Sequence, residues 1–156
     1  MRCFREVRES GEMAKPFADG VGDEIRAAYE DVRSDESETN WAVFKYDGKL
    51  IGHAGSGVEY QEFLDQCGDD ERVYSYLRFE TGDEMSRRKK FAFVTWIGPS
   101  VSPLKKAKVS TDKAFVKAIC YDFGKEILAD EKPELKYEKI LKQLELASGA
   151  AYGTGR

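Results

Sequence analysis

The chain has 156 residues, 41% hydrophobic and 35% charged, with a formal net charge of -4 and a pI of about 5.2. That length suits one domain with its own buried core, and the composition excludes a disordered chain. No apolar run approaches a membrane span and "MRCFREVRESGE" has no apolar h-region, so a soluble protein of the cytoplasm is expected.

Residues 1–20 mix charge with Gly11, Pro16 and Gly20 and show no period, so they read as an N-terminal extension before a domain at 21–147. A first helix is predicted with Asp23 as N-cap, because Ile25, Ala28, Tyr29 and Val32 recur at i, i+3, i+4 and i+7. "NWAVFKYDGKLIG" reads as a hairpin turning at Asp47-Gly48, and "GHAGSG" as a loop. Tyr60, Phe63, Leu64 and Cys67 repeat the helical spacing. "RVYSYLRFET" and "KFAFVTWIG" are the two strongest strands, joined by a turn or long hairpin through "TGDEMSRR". The second strand carries Phe91, Phe93 and Ile97 on one face and Ala92, Val94 and Trp96 on the other. Such a strand is central and covered by helices on both sides.

Gly98-Pro99 ends that strand, and a loop follows. Ser110, Thr111 or Asp112 then caps a helix with Phe115, Val116, Ile119, Cys120 and Phe123 on one face and Lys113, Lys117 and Tyr121 on the other. "KEILADE" is predicted as an edge strand. Pro133 introduces a last helix with Tyr137, Ile140, Leu141 and Leu144, and 148–156 is a tail of small residues. This order gives an α/β (α+β) sandwich, with one mostly antiparallel sheet between helices.

Nothing in the sequence reads as an active site. The single histidine, His53, is expected at the surface of a glycine-rich loop with no nucleophile motif beside it. "GHAGSGVEY" lacks both G-K-[ST] and G-x-G-x-x-G, so it is not a phosphate loop. Asp69, Asp70 and Glu71 are consecutive and their side chains diverge, which suits a solvated turn better than a calcium site. Cys3, Cys67 and Cys120 have no metal-ligand spacing and read as reduced thiols, two of them in the core. No enzyme, metal or cofactor is expected.

Charge is the informative feature. Between Ser86 and Lys117 stand nine basic residues, among them Arg87, Arg88, Lys89, Lys90 and Lys108, against the single acid Asp112. That segment carries +8 and leaves -12 on the rest of the chain. Separation on this scale builds a local positive field for an acidic partner. The acidic pI and the use of the neighbouring aromatics as core argue against nucleic acid. An acidic protein surface fits better, with phosphoinositide head groups as a secondary ligand. The alternative is a self-assembling or phosphoinositide-binding scaffold.

"NWAVFKYDGKLIG", the block from "GVEYQEF" to "FAFVTWIG", and "KAKVSTDKAFVK" resemble coactosin-like proteins of the ADF/cofilin homology family, from about Asp23 to Tyr152. The resemblance implies a mixed sheet of five or six strands between helices. It implies a monomer that binds the side of actin filaments, with weak or no affinity for monomeric actin, no severing and no catalysis, and that stabilises filaments or counters capping. It assigns the central contact to Lys90, directly before "FAFVTW", and further contacts to Lys113 and Lys117 in "TDKAFVK". Arg88, Lys89 and Lys108 extend that footprint. Three places depart from the family: the segment before Val21 has no counterpart, Arg87, Arg88 and the additional Lys89 alter the basic run, and Glu145, Leu146 and Ala147 stand where vertebrate relatives carry the lysine that binds a lipoxygenase. That last partner is not carried over.

Overall fold

A computed structural model describes residues 15–82, 85 and 87–147. In chain order the elements are α1 (Val21–Arg33), β1 (Trp41–Asp47), β2 (Leu50–Gly57), α2 (Tyr60–Asp65), β3 (Arg72–Thr81), β4 (Arg88–Ile97), α3 (Pro103–Ile119), β5 (Lys125–Ala129), a 3-10 turn (Lys132–Leu135) and α4 (Tyr137–Ala147). The five strands form one sheet in the order β2-β1-β3-β4-β5. All neighbours are antiparallel except β4 and β5, which run parallel. The sheet is therefore mixed, as expected, and β5 is an edge strand.

Each face of the sheet has its own core. α1 and α3 cover one face, where Ile25, Tyr29, Val109 and Val116 meet Phe44 and Phe93. α2, the 3-10 turn and α4 cover the other, where Phe63, Leu135, Ile140 and Leu144 meet Leu77 and Trp96. Alternation along β4 divides its residues between these cores as its sequence predicts. Phe93 and Ile97 belong to the first, Ala92, Val94 and Trp96 to the second, and Phe91 packs against the first. Cys67 and Cys120 are buried, one on each face; Cys3 lies outside the described residues.

Several boundaries differ from the sequence reading. α1 begins at Val21, so Gly20, in the left-handed region with φ 83°, is the N-cap in place of Asp23. Asp23 instead sits in the first turn, where a carboxylate favours the positive end of the helix dipole. The hairpin turns at Gly48-Lys49, one residue later than expected, because Asp47 still pairs with Leu50 and Gly48 takes the positive φ. "GHAGSG" is not a loop but part of β2, held by the β1 ladder. Its last glycine makes room for Trp41, since a Cβ on Gly57 would lie 2.6 Å from that ring. His53 is exposed as expected, although it stands on this strand, with Ser56 Oγ 2.8 Å from its Nε2.

α3 starts not at Ser110–Asp112 but two turns earlier. Ser102 caps it by accepting from Lys105 N, and Pro103 occupies the first turn, where its missing N–H costs nothing. Lys105, Lys106 and Lys108, expected in a loop, are therefore helical. Pro133 does not introduce α4 directly but is the second residue of the 3-10 turn, and α4 follows from Tyr137. Of the expected N-terminal extension, residues 1–14 lie outside the described residues. Pro16 is buried, its carbonyl accepts from Ile51 N at 2.8 Å, and Phe17 packs on the α1 core. The expected tail 148–156 also lies outside the described residues.

Candidate functional site

β4 begins at Arg88, so most of the basic run is part of the strand and obeys its alternation. The register with β3 sets Lys90 opposite Phe79, Lys89 opposite Glu80 and Arg88 opposite Thr81. Phe79 belongs to the core under α4. Lys90 and Arg88 therefore emerge on the α4 side, and Lys89 and Arg87 on the α1 side.

The two sides differ in charge compensation. On the α1 side Lys89 Nζ donates to Asp35 Oδ1 at 2.7 Å, and Arg87 Nη1 donates to Glu80 Oε1 at 2.9 Å. The Lys89 hydrogen bond holds the Asp35 carboxyl below the usual range. On the α4 side neither Arg88 nor Lys90 has a carboxylate partner among the described residues. Among the described residues, the row of four cations is thus divided into a compensated pair and a pair with no carboxylate partner.

The support beneath Arg88 and Lys90 is stiff. Phe91 stacks on Tyr76 with centroids 5.3 Å apart and planes 4° apart, and the Arg33 guanidinium lies 5.0 Å above the Phe91 ring. Opposite Lys90, Phe79 packs on Tyr137 at the start of α4, centroid to centroid 4.7 Å. Such packing fixes the backbone that carries Lys90, so little ordering entropy is lost when a partner meets its ammonium.

The lysines expected on α3 are placed differently. α3 packs on the α1 side of the sheet, so Lys113 and Lys117 stand on the face opposite Lys90. Both donate to one carboxylate on β5: Lys113 Nζ to Glu126 Oε2 at 2.9 Å and Lys117 Nζ to Glu126 Oε1 at 2.6 Å. Burial pushes the Glu126 carboxyl up, but the two lysines outweigh it and hold the group below the usual carboxylate range. Lys108 is committed to the core. Its ammonium lies 2.7 Å from Asp112 Oδ2, and Asp112 is fully buried and also accepts from Tyr46 Oη at 2.8 Å. Truncating Lys108 would leave a buried carboxylate poorly compensated.

Exposed cations that the sequence reading left out of its site include Lys139 and Lys142 on α4, the helix that covers the Lys90 side. The signal was available, because the apolar period Tyr137, Ile140, Leu141 and Leu144 leaves both lysines outward. No group of three His, Cys, Asp or Glu side chains among the described residues is placed to hold a metal ion.

A family model described as cofilin/tropomyosin-type actin-binding protein matches residues 19–145. The chain belongs to the cofilin/ADF family. Within this family it is similar to the coactosins. The coactosin-like protein of Homo sapiens is 48% identical over 127 residues, covering 81% of this chain and 89% of that one. A crystal structure of human coactosin-like protein superposes with a TM-score of 0.78 at 44% identity, over 85% of this chain and 98% of the other. The solution structure of mouse coactosin, described as an actin filament binding protein, gives 0.71 at 45% identity, over 85% and 93%. The cofilin/ADF fold is thus common to this chain and to those coactosins.

Proposed function

We propose that this protein is a non-catalytic regulator of the actin cytoskeleton in the cytoplasm. It binds the side of actin filaments, without severing them and with weak or no affinity for monomeric actin. The observation that carries this reading is the pair Arg88 and Lys90, without a carboxylate partner among the described residues and held on the stiff start of β4 on the α4 side. Membership of an actin-binding family and the likeness to mouse coactosin, an actin filament binding protein, support actin as the acidic partner that such a pair would meet. Lys90 makes the central contact, and Arg88 lies beside it. Lys89, Lys108, Lys113 and Lys117 belong to the wider footprint, but each is tied to a carboxylate in the free protein and contributes less per charge.

Co-sedimentation with purified filaments tests the reading. Lys90→Ala is expected to weaken binding about tenfold or more, the loss typical of a charged contact, with an unchanged thermal melt. Binding is expected to weaken steadily as salt rises. A wild-type bound fraction that Lys90→Ala leaves unchanged at physiological salt would overturn the assignment of Lys90. Absence of pelleting at low salt, with retention on phosphoinositide vesicles, would favour the scaffold.

A further inference from the structure

The basic segment has a built-in counter-charge that no count along the sequence places there. Glu126 lies on β5, outside the segment from Ser86 to Lys117, yet each of its oxygens receives one α3 lysine. All three side chains are partly open to solvent, with 27%, 34% and 26% of the Lys113, Lys117 and Glu126 side chains exposed. The cluster is thus neither sealed in the core nor freely solvated. Lys117 is further placed by the Phe123 ring, 5.8 Å from its ammonium.

We infer that Glu126 is an intramolecular competitor for the acidic partner, holding back the charge of Lys113 and Lys117 and so limiting the affinity of the α3 face. This rests on the filament-binding reading above. The physical basis is competition for the same donors. An ammonium bonded to a carboxylate at 2.6 or 2.9 Å must give up or share that bond before it meets another anion. Two lysines with one glutamate present a net charge of +1 where two free lysines would present +2. Glu126 does to the α3 lysines what Asp35 and Glu80 do to Lys89 and Arg87. Among the described residues, Arg88 and Lys90 are the cations of the β4 run without a carboxylate partner.

The test is a double-mutant cycle read by filament co-sedimentation. Glu126→Gln keeps the shape and removes the charge. It is expected to raise affinity about two- to fivefold, the scale of freed surface charges, and to steepen the loss of binding with salt. Lys113→Gln with Lys117→Gln is expected to weaken binding less in the wild-type background, where Glu126 already engages both ammoniums, than in the Glu126→Gln background. In the Glu126→Gln background the same pair is expected to erase the whole gain, so the effects are non-additive. Glu126→Asp retains the charge and is expected to stay near wild type. A merely structural clamp would lower the melting temperature in Glu126→Gln and leave affinity and its salt dependence unchanged, which would overturn the inference. If Glu126→Gln does not fold, Glu126→Ala is read in its place by the same measurements: a gain in affinity with a steeper salt dependence supports the inference, and unchanged affinity overturns it. Should wild-type protein pellet in a Lys90-dependent way while Glu126→Gln changes nothing, only the competitor role falls. Should wild-type protein not pellet at all, the filament reading falls and takes this inference with it.

Discussion

Arg78 shows how far a single residue can depart from its usual habit. It is 7% exposed and has no ion pair with a carboxylate among the described residues. Instead its guanidinium donates to Asn40 Oδ1 at 3.0 Å and to the carbonyls of Val32, Ser34 and Ser37 at 3.1, 2.9 and 2.8 Å. Those carbonyls lie at the negative end of α1 and in the chain leaving it, so a cation there satisfies both hydrogen bonds and dipole. Arg78→Met keeps the apolar stem and orphans the acceptors. It is expected to lower stability by roughly 2–4 kcal/mol, read as a lower urea midpoint with an unchanged slope. Position 78 occupies an interior slot of "RVYSYLRFET", but the pattern along one strand says nothing about carbonyls 38 to 46 residues away. Lys90 is the opposite case. Its place just before an apolar strand was readable, and pairing with Phe79 confirms that it leaves the strand at the rim of a packed core.

At the scale of elements, periodicity served well and boundaries less so. The apolar positions of α1, α2, β3, β4 and α4 fall into the cores their spacing predicts. The start of β2 was legible as the return strand of the hairpin, but its continuation was hidden because "GHAGSG" has almost no side chains to show a period; the ladder to β1 makes it strand. The start of α3 was hidden because "PLKKAKVS" has a weak apolar face, while the capping residue Ser102 stands two turns before the helix packs tightly. Gly98 ends β4 as its sequence predicts, and its contacts tolerate no side chain. A Cβ there would lie 2.0 Å from the carbonyl oxygen of Asp69, and its N–H donates to Glu71 O at 2.9 Å. Gly98→Ala must therefore push the Gly68–Glu71 turn away from the end of β4. A loss of about 3 kcal/mol is expected in urea unfolding, with faster amide exchange in that turn. A melt equal to wild type would show that the turn yields freely.

For the whole molecule, pH reports on both faces at once. Hydrogen bonds from Thr39 and Ser37 hold the Asp31 carboxyl below 3.8, and Glu126 is held below 4.5 by its lysines against the upward push of burial. Carboxyls lowered by folding add stability that is present above their ordinary values and is lost as pH falls through their folded ones. The thiols of Cys67 and Cys120 are pushed by burial from 9.0 up to about 12. Groups raised by folding add stability that is present below 9.0 and is lost as pH climbs toward 12. The melting temperature is thus expected to be flat from about pH 5 to 8 and to fall on either side. A melt that rises between pH 5 and 3 would contradict the carboxylate assignments. Native protein is also expected to resist thiol reagents at Cys67 and Cys120 until it unfolds.

The sequence by itself determined that this is a two-faced sheet covered by helices, that "FAFVTWI" is an interior strand buried on both faces, and that positive charge is concentrated from Arg87 to Lys117. Those properties follow from local period and from counting, and both are written along the chain. Only the tertiary structure decided which of those charges are paired. Asp35, Glu80 and Glu126 lie 54, 7 and 9 or more residues from the cations they neutralise, and the pleat of β4 alone separates Lys89 from Lys90. An ion pair depends on distance in space, so a run of four basic residues acquires a direction only once the sheet has folded around it.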